Sequence, residues 1–143
     1  MFVDSEIKSS GVIGLGICGN VQAMSIVHHG ESTRGVSQSL SLLKKSTIES
    51  DTTVCFMVSC VGRGETFYKS KNVETGIFQK EFPNVPIGGF FGNGEVGLDQ
   101  HSTEGKPLKD SHFLHSYSSV FCLCSLGKPT APVRQGGSVT VSQ

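Results

Sequence analysis

The sequence predicts an α+β domain: a mixed β-sheet with two amphipathic helices and glycine-rich loops. Three observations carry that expectation. Asp51 to Val61, DTTVCFMVSCV, is a continuous apolar and β-branched run, the pattern of a strand in the middle of a sheet with both faces buried. Val36, Leu40 and Leu43 in one stretch, and Val73, Ile77, Phe78 and Phe82 in another, recur at helical spacing. Gly62-Arg63-Gly64 and Gly92-Asn93-Gly94-Glu95 put glycine, which tolerates positive φ and close backbone approach, at the ends of expected strands.

At 143 residues the chain suits one domain. Its net charge is zero and its basic residues are scattered, so neither nucleic acid nor an anionic membrane is expected as a partner. The start, MFVDSEIKSS, lacks the basic and apolar regions of a secretory signal, and no apolar run reaches the 18 or more residues of a membrane span. Five cysteines, Cys18, Cys55, Cys60, Cys122 and Cys124, lie in or beside apolar runs, and the odd count points to reduced thiols. The expected localisation is cytoplasmic and nuclear.

Taken in order, residues 1–10 are left unassigned, residues 11–126 form the domain, and residues 127–143, rich in Pro, Gly and Ser, are expected to be an unpacked tail. Gly11 to Gly19 and Val21 to His28 read as a hairpin about Gly19-Asn20. Gly14-Leu15-Gly16-Ile17-Cys18-Gly19 spells GxGxxG, but a dinucleotide site needs a helix after it, and the next segment leans to β, so the pattern reads as a glycine-containing strand. His28 to Gly35 reads as a polar, solvated loop. The helix around Val36 to Thr47 closes on Lys44 and Lys45, where the helix dipole favours cations.

Asn72 is placed to cap the second helix, with Glu74 in its first turn, and Pro83 stops it. Val85 to Phe91 is a short strand, Asn93-Gly94 a tight turn and Val96 to Leu98 a returning strand. Asp99 to Ser111 is a surface loop, and Phe113 to Leu126 a strand. His112, His115, Cys122 and Cys124 lack the ligand spacing of zinc modules, so the thiols read as core and no metal is expected.

No GxSxG elbow, Walker loop, HExxH helix or CxxC pair is present, so no catalytic residue and no cofactor is designated, and a binding module is expected. Cys60 has three readings: a small buried hydrophobe, a partly accessible thiol beside Arg63, or a nucleophile, for which the sequence designates no base. Glu95 is either a binding carboxylate facing Arg63 across the two loops, a solvated turn residue, or Arg63's ion-pair partner.

Cys60-Val61-Gly62-Arg63-Gly64, Asn72-Val73-Glu74, Phe82-Pro83 with Val85-Pro86, Gly89-Phe90-Phe91-Gly92-Asn93-Gly94-Glu95-Val96-Gly97 and Leu114-His115-Ser116-Tyr117 together resemble the C-terminal half of a FIST domain, over roughly Gly11 to Leu126. In bacteria and archaea such domains are similar to sensory modules that bind small ligands such as amino acids. In animals the domain follows an F-box, and the whole resembles the substrate-recognition subunit of a Skp1–cullin–F-box ubiquitin ligase, promoting proteasomal degradation of protein substrates. The present motifs resemble the animal group. The resemblance implies a recognition surface at Gly62, Arg63, Gly64, Asn93, Gly94 and Glu95, with Cys60 beneath. No F-box segment precedes Gly11, so the sequence reads as a fragment or short isoform; a Skp1–cullin partner then requires an F-box upstream.

Overall fold

The computed structural model describes residues 9–10, 14, 16–45 and 52–127, together with the backbone of Phe2–Val3 and Glu6–Ile7. These last two segments, β1 and β2, pair antiparallel within the stretch that the sequence left unassigned. The expected tail from Lys128 onward lies outside the described residues.

The main sheet has four strands: β3 (Val21–His28), β4 (Thr53–Cys60), β5 (Ile87–Gly92) and β8 (Ser119–Leu126), in the order β3-β8-β4-β5. β8 runs antiparallel to both its neighbours, whereas β4 and β5 are parallel. Parallel neighbours require a crossover. Here it is made by a 3-10 turn, Val61–Arg63, and two helices, α2 (Glu65–Tyr68) and α3 (Val73–Glu81). A separate ribbon pairs β6 (Glu95–Val96) with β7 (Leu114–His115). The expected mixed sheet and its two longer helices are therefore present: α1 (Thr33–Lys45), whose Gly35 amide donates to Ser32 Oγ at 3.0 Å, and α3. Two four-residue helices, α2 and α4 (Gln100–Thr103), are also present.

Strand periodicity decides where the core lies. Register aligns Ile26, Phe121 and Met57 across three strands, and beside them Cys55 and Leu123; this face is covered by Val36, Leu40 and Leu43 of α1 and by Phe78 of α3. Phe78 is fully buried, stacked 6.2 Å from Phe121 and 4.8 Å from Phe82. Truncating such a ring to alanine costs about 3–5 kcal/mol. The opposite face is only partly covered. The segment after β6 crosses it at Ser25, whose hydroxyl donates to Leu98 O at 2.6 Å and whose amide donates to Gln100 Oε1 at 2.5 Å. Phe56 remains 43% exposed.

Several local expectations are corrected. β4 is central, as read, but Phe56 shows that it is buried on one face and not both. β3 pairs with β8, and Gly14 and residues 16–19 are outside any strand, so the expected hairpin is not formed by the described residues. His28 does not belong to a solvated loop: it ends β3, is buried on the helix side, and its Nδ1 lies 3.0 Å from Ser39 Oγ. Asn72 makes no side-chain cap; at φ +55° it serves as a left-handed pivot into α3. The expected strand from Phe113 breaks at Tyr117 (φ +57°), and Val96 returns to β7 instead of to β5. The loop from Asp99 holds α4 and a 3-10 turn, Asp110–His112.

Candidate binding cleft

In open α/β sheets the crevice outside the carboxyl ends of parallel strands is the usual place for a ligand. Here the chain leaving β4 through Arg63, together with α2 and the first turn of α3, borders a cavity of about 370 Å³ whose opposite wall is β5 from Ile87 to Phe91. Small-molecule sites span roughly 300–1,000 Å³.

A buried charge network forms the inner wall. Arg63 is 2% exposed and Glu74 3% exposed. Charges are taken this far from water only when paired and hydrogen-bonded. Arg63 donates to Glu74 Oε1 from Nε at 2.9 Å and from Nη2 at 2.7 Å. Its remaining donors reach Tyr117 O at 3.0 Å, Gly30 O at 2.9 Å and the Tyr68 hydroxyl at 2.6 Å. Tyr68 in turn donates to Glu74 Oε1 at 2.7 Å, while Ser119 donates to Oε2 at 2.6 Å. Burial, and then the bond to Glu74, push the Tyr68 hydroxyl pKa up, so Tyr68 remains a neutral donor. Arg63 thereby ties together the segment at Tyr117 that leads into β8, the loop at Gly30 and the start of α3, and stacks over Phe67 at 5.2 Å.

The outer wall depends on Gly89. A Cβ there would run into the carbonyl oxygen of Met57 on β4, so no other residue fits without shifting the strand. Beyond it, Phe90 and Phe91 are 66% and 54% exposed.

The residues singled out from the sequence divide into two groups. Arg63 and Gly64 line the cleft, with Gly64 beside the Phe91 ring. Cys60, Gly62, Asn93, Gly94 and Glu95 do not line it, although Ser118 joins the two loops: it accepts the Cys60 amide at 3.0 Å and donates to Glu95 Oε1 from its amide at 2.7 Å and its hydroxyl at 2.6 Å. Asn93 and Gly94 (φ +91°) form the exposed turn, whereas Glu95 is buried. Arg63's ion-pair partner is Glu74, not Glu95. Cys60 is buried, with its thiol next to Gly62. Cys122 and Cys124 share the open sheet face with their sulfurs 3.9 Å apart; burial pushes the Cys122 thiol up to about 11. Sequence reasoning missed Tyr68, Glu74, Phe90 and Phe91 as cleft residues. The one local signal was the pair of glycines, Gly88-Gly89, before two phenylalanines.

The described elements form a mixed α/β domain: a four-stranded sheet with its two longer helices on one face and a crevice along β5, between that strand and the crossover from β4. The chain belongs to the FIST C domain family, whose pattern it matches over residues 12–98. It is 36% identical over 132 residues to F-box only protein 22 from Homo sapiens, covering 85% of this chain and 33% of that protein; the Pongo abelii protein matches equally. An F-box/LRR-repeat protein from Arabidopsis thaliana is 38% identical over 73 residues, 49% of this chain and 13% of that one. The chain thus spans about a third of the length of the first two relatives. No helix among the described residues is long and apolar enough to cross a membrane.

Proposed function

We propose that this domain recognises protein substrates for a Skp1–cullin–F-box ubiquitin ligase and so directs them to proteasomal degradation. The observation that carries this reading is the likeness to F-box only protein 22 along 85% of the chain. The domain's part is binding, not catalysis: it holds a target while another component transfers ubiquitin. The proposed setting is the cytoplasm and nucleus. The test is affinity purification of the endogenous gene product, using an antibody to the Cys60–Gly97 region. Recovery of Skp1 and a cullin, together with targets that accumulate when the gene is silenced, is expected. A well-expressed product that brings down neither Skp1 nor cullin overturns the reading.

A second reading, a sensor of small amino-acid-like ligands, is favoured by one observation, the 370 Å³ cleft with a paired Arg63 and Glu74 on its inner wall. A screen of amino acids against the folded chain checks it. No ligand raising the unfolding temperature at millimolar concentration removes it.

A further inference from the structure

We propose that the free edge of β5 takes up an extended peptide segment of a target protein as an added fifth strand, with the cleft receiving its side chains. This deepens the substrate-recognition reading and rests on it. The two edges of the sheet are treated differently. On β3, the outward amide of Ser25 is taken by Gln100 Oε1, so that edge is partly capped from within the chain. β5 pairs with β4 on one side only; among the described residues no strand lies on its other side.

An exposed edge is a template for strand pairing, and proteins blunt it with charge, proline or a cover. Ile87–Gly92, IGGFFG, has no charge and no proline. Its outward backbone groups, without a strand partner among the described residues, call for another strand, the geometry of recognition by strand addition. Gly88 and Gly89 carry no side chain to hold an incoming backbone away, and the exposed Phe90 and Phe91 offer apolar contacts that alternate across the strand.

Electrostatics define the segment further. The charges on the cleft wall are already matched: Arg63 with Glu74 at 2.7 Å, and on the rim Lys71 with Glu65 at 3.8 Å. The complementary segment is therefore uncharged at its centre, with apolar residues at alternate positions.

The probe is a displayed library of random linear twelve-residue peptides, selected against the full 143-residue chain and counter-selected against a Phe90→Asp/Phe91→Asp variant. Both rings are more than half exposed, so the variant is expected to keep the fold of the parent, which its circular dichroism spectrum checks. The leading peptide is then resynthesised with single N-methyl groups along its length. Strand addition predicts that methylation at every second amide weakens binding about tenfold, because the N–H donor is lost and a β5 carbonyl is left unpaired, while the intervening positions tolerate it. Uniform tolerance, or sensitivity without a period of two, overturns the proposal, as does failure to enrich any peptide. A chain that self-associates, and is dispersed by the double variant, would have the edge filled by a second copy and would overturn the assignment to a target. Peptide binding without any Skp1 or cullin association would leave the edge site standing and remove the ligase reading; ligase association with no peptide bound would do the reverse.

Discussion

Arg63 and Glu74, eleven positions apart in sequence, form an ion pair at 2.7 Å with neither side chain more than 3% exposed. The pair fastens the exit of β4 to the first turn of α3 and so sets the inner wall of the cleft. Removing one member strands the other in the interior, which costs about 3–5 kcal/mol. Glu74→Ala and Arg63→Ala are each expected to destabilise the domain by that amount. Arg63→Met combined with Glu74→Leu, which leaves no buried charge, is expected to be less destabilised than the sum of the corresponding single variants. Urea unfolding of the four members of that cycle measures the coupling; additive losses would mean that the pair is not the unit described here.

Gly89 gives a second prediction, about the opposite wall. Gly89→Ala drives a methyl group into the Met57 carbonyl, so β5 must shift away from β4 or the ladder must open. Overpacking of this kind costs about 1–3 kcal/mol. Gly88→Ala, one residue earlier, meets nothing within 4 Å and is expected to be close to neutral. Thermal unfolding of the two variants side by side separates a specific backbone approach from a general aversion of the strand to alanine.

What the sequence disclosed and what it hid follow from the range of each interaction. α1 was legible because Val36, Leu40 and Leu43 write its buried stripe in one stretch, and β4 because its apolar run is continuous. The turn at Asn93-Gly94 was legible because a positive φ calls for glycine, which Gly94 at +91° supplies. The partner of Arg63 was not: Glu74 looks like an ordinary first-turn acid, and its burial is decided by Ser119 and Tyr68, brought in from β8 and α2. Nor does any local feature say that Val96 pairs with Leu114, or that Tyr117 breaks the last strand without a glycine. The cleft was half visible, through Arg63 and Gly64, because its other half is strand backbone and not a motif.

The thiols differ in a way that chemical labelling can resolve. Cys18 is exposed, whereas Cys55 is buried. Burial pushes the Cys55 thiol up to about 12, with the neighbouring Cys122 adding to the shift, and burial followed by the charge of Cys124 pushes Cys122 up to about 11. At pH 7.5 a thiol of that kind is a thiolate in fewer than about one molecule in a thousand, and only the thiolate attacks. N-ethylmaleimide at pH 7.5 is therefore expected to modify Cys18 first and to leave Cys55 and Cys122 unmodified until denaturant is added. Peptide mapping after a timed quench reads the order; early modification of Cys122 would contradict it.

Acid sensitivity is the last expectation, and its sign comes from His28. Burial, then the nearby Arg63 charge, lower the His28 pKa below its ordinary 6.5, and the His29 pKa is lowered by burial and by His115. Well above pH 6.5 both rings are neutral whether the chain is folded or not, and they make no pH-dependent contribution. Below it the unfolded chain binds protons that the folded chain refuses, so stability falls with pH until the folded rings protonate as well. The unfolding temperature is expected to drop between pH 7.5 and pH 5.5. His28→Gln removes one of the two groups, so its drop should be smaller than that of the parent. An equal drop in the variant would mean that His28 does not resist protonation in the folded chain and that other groups set the acid limit.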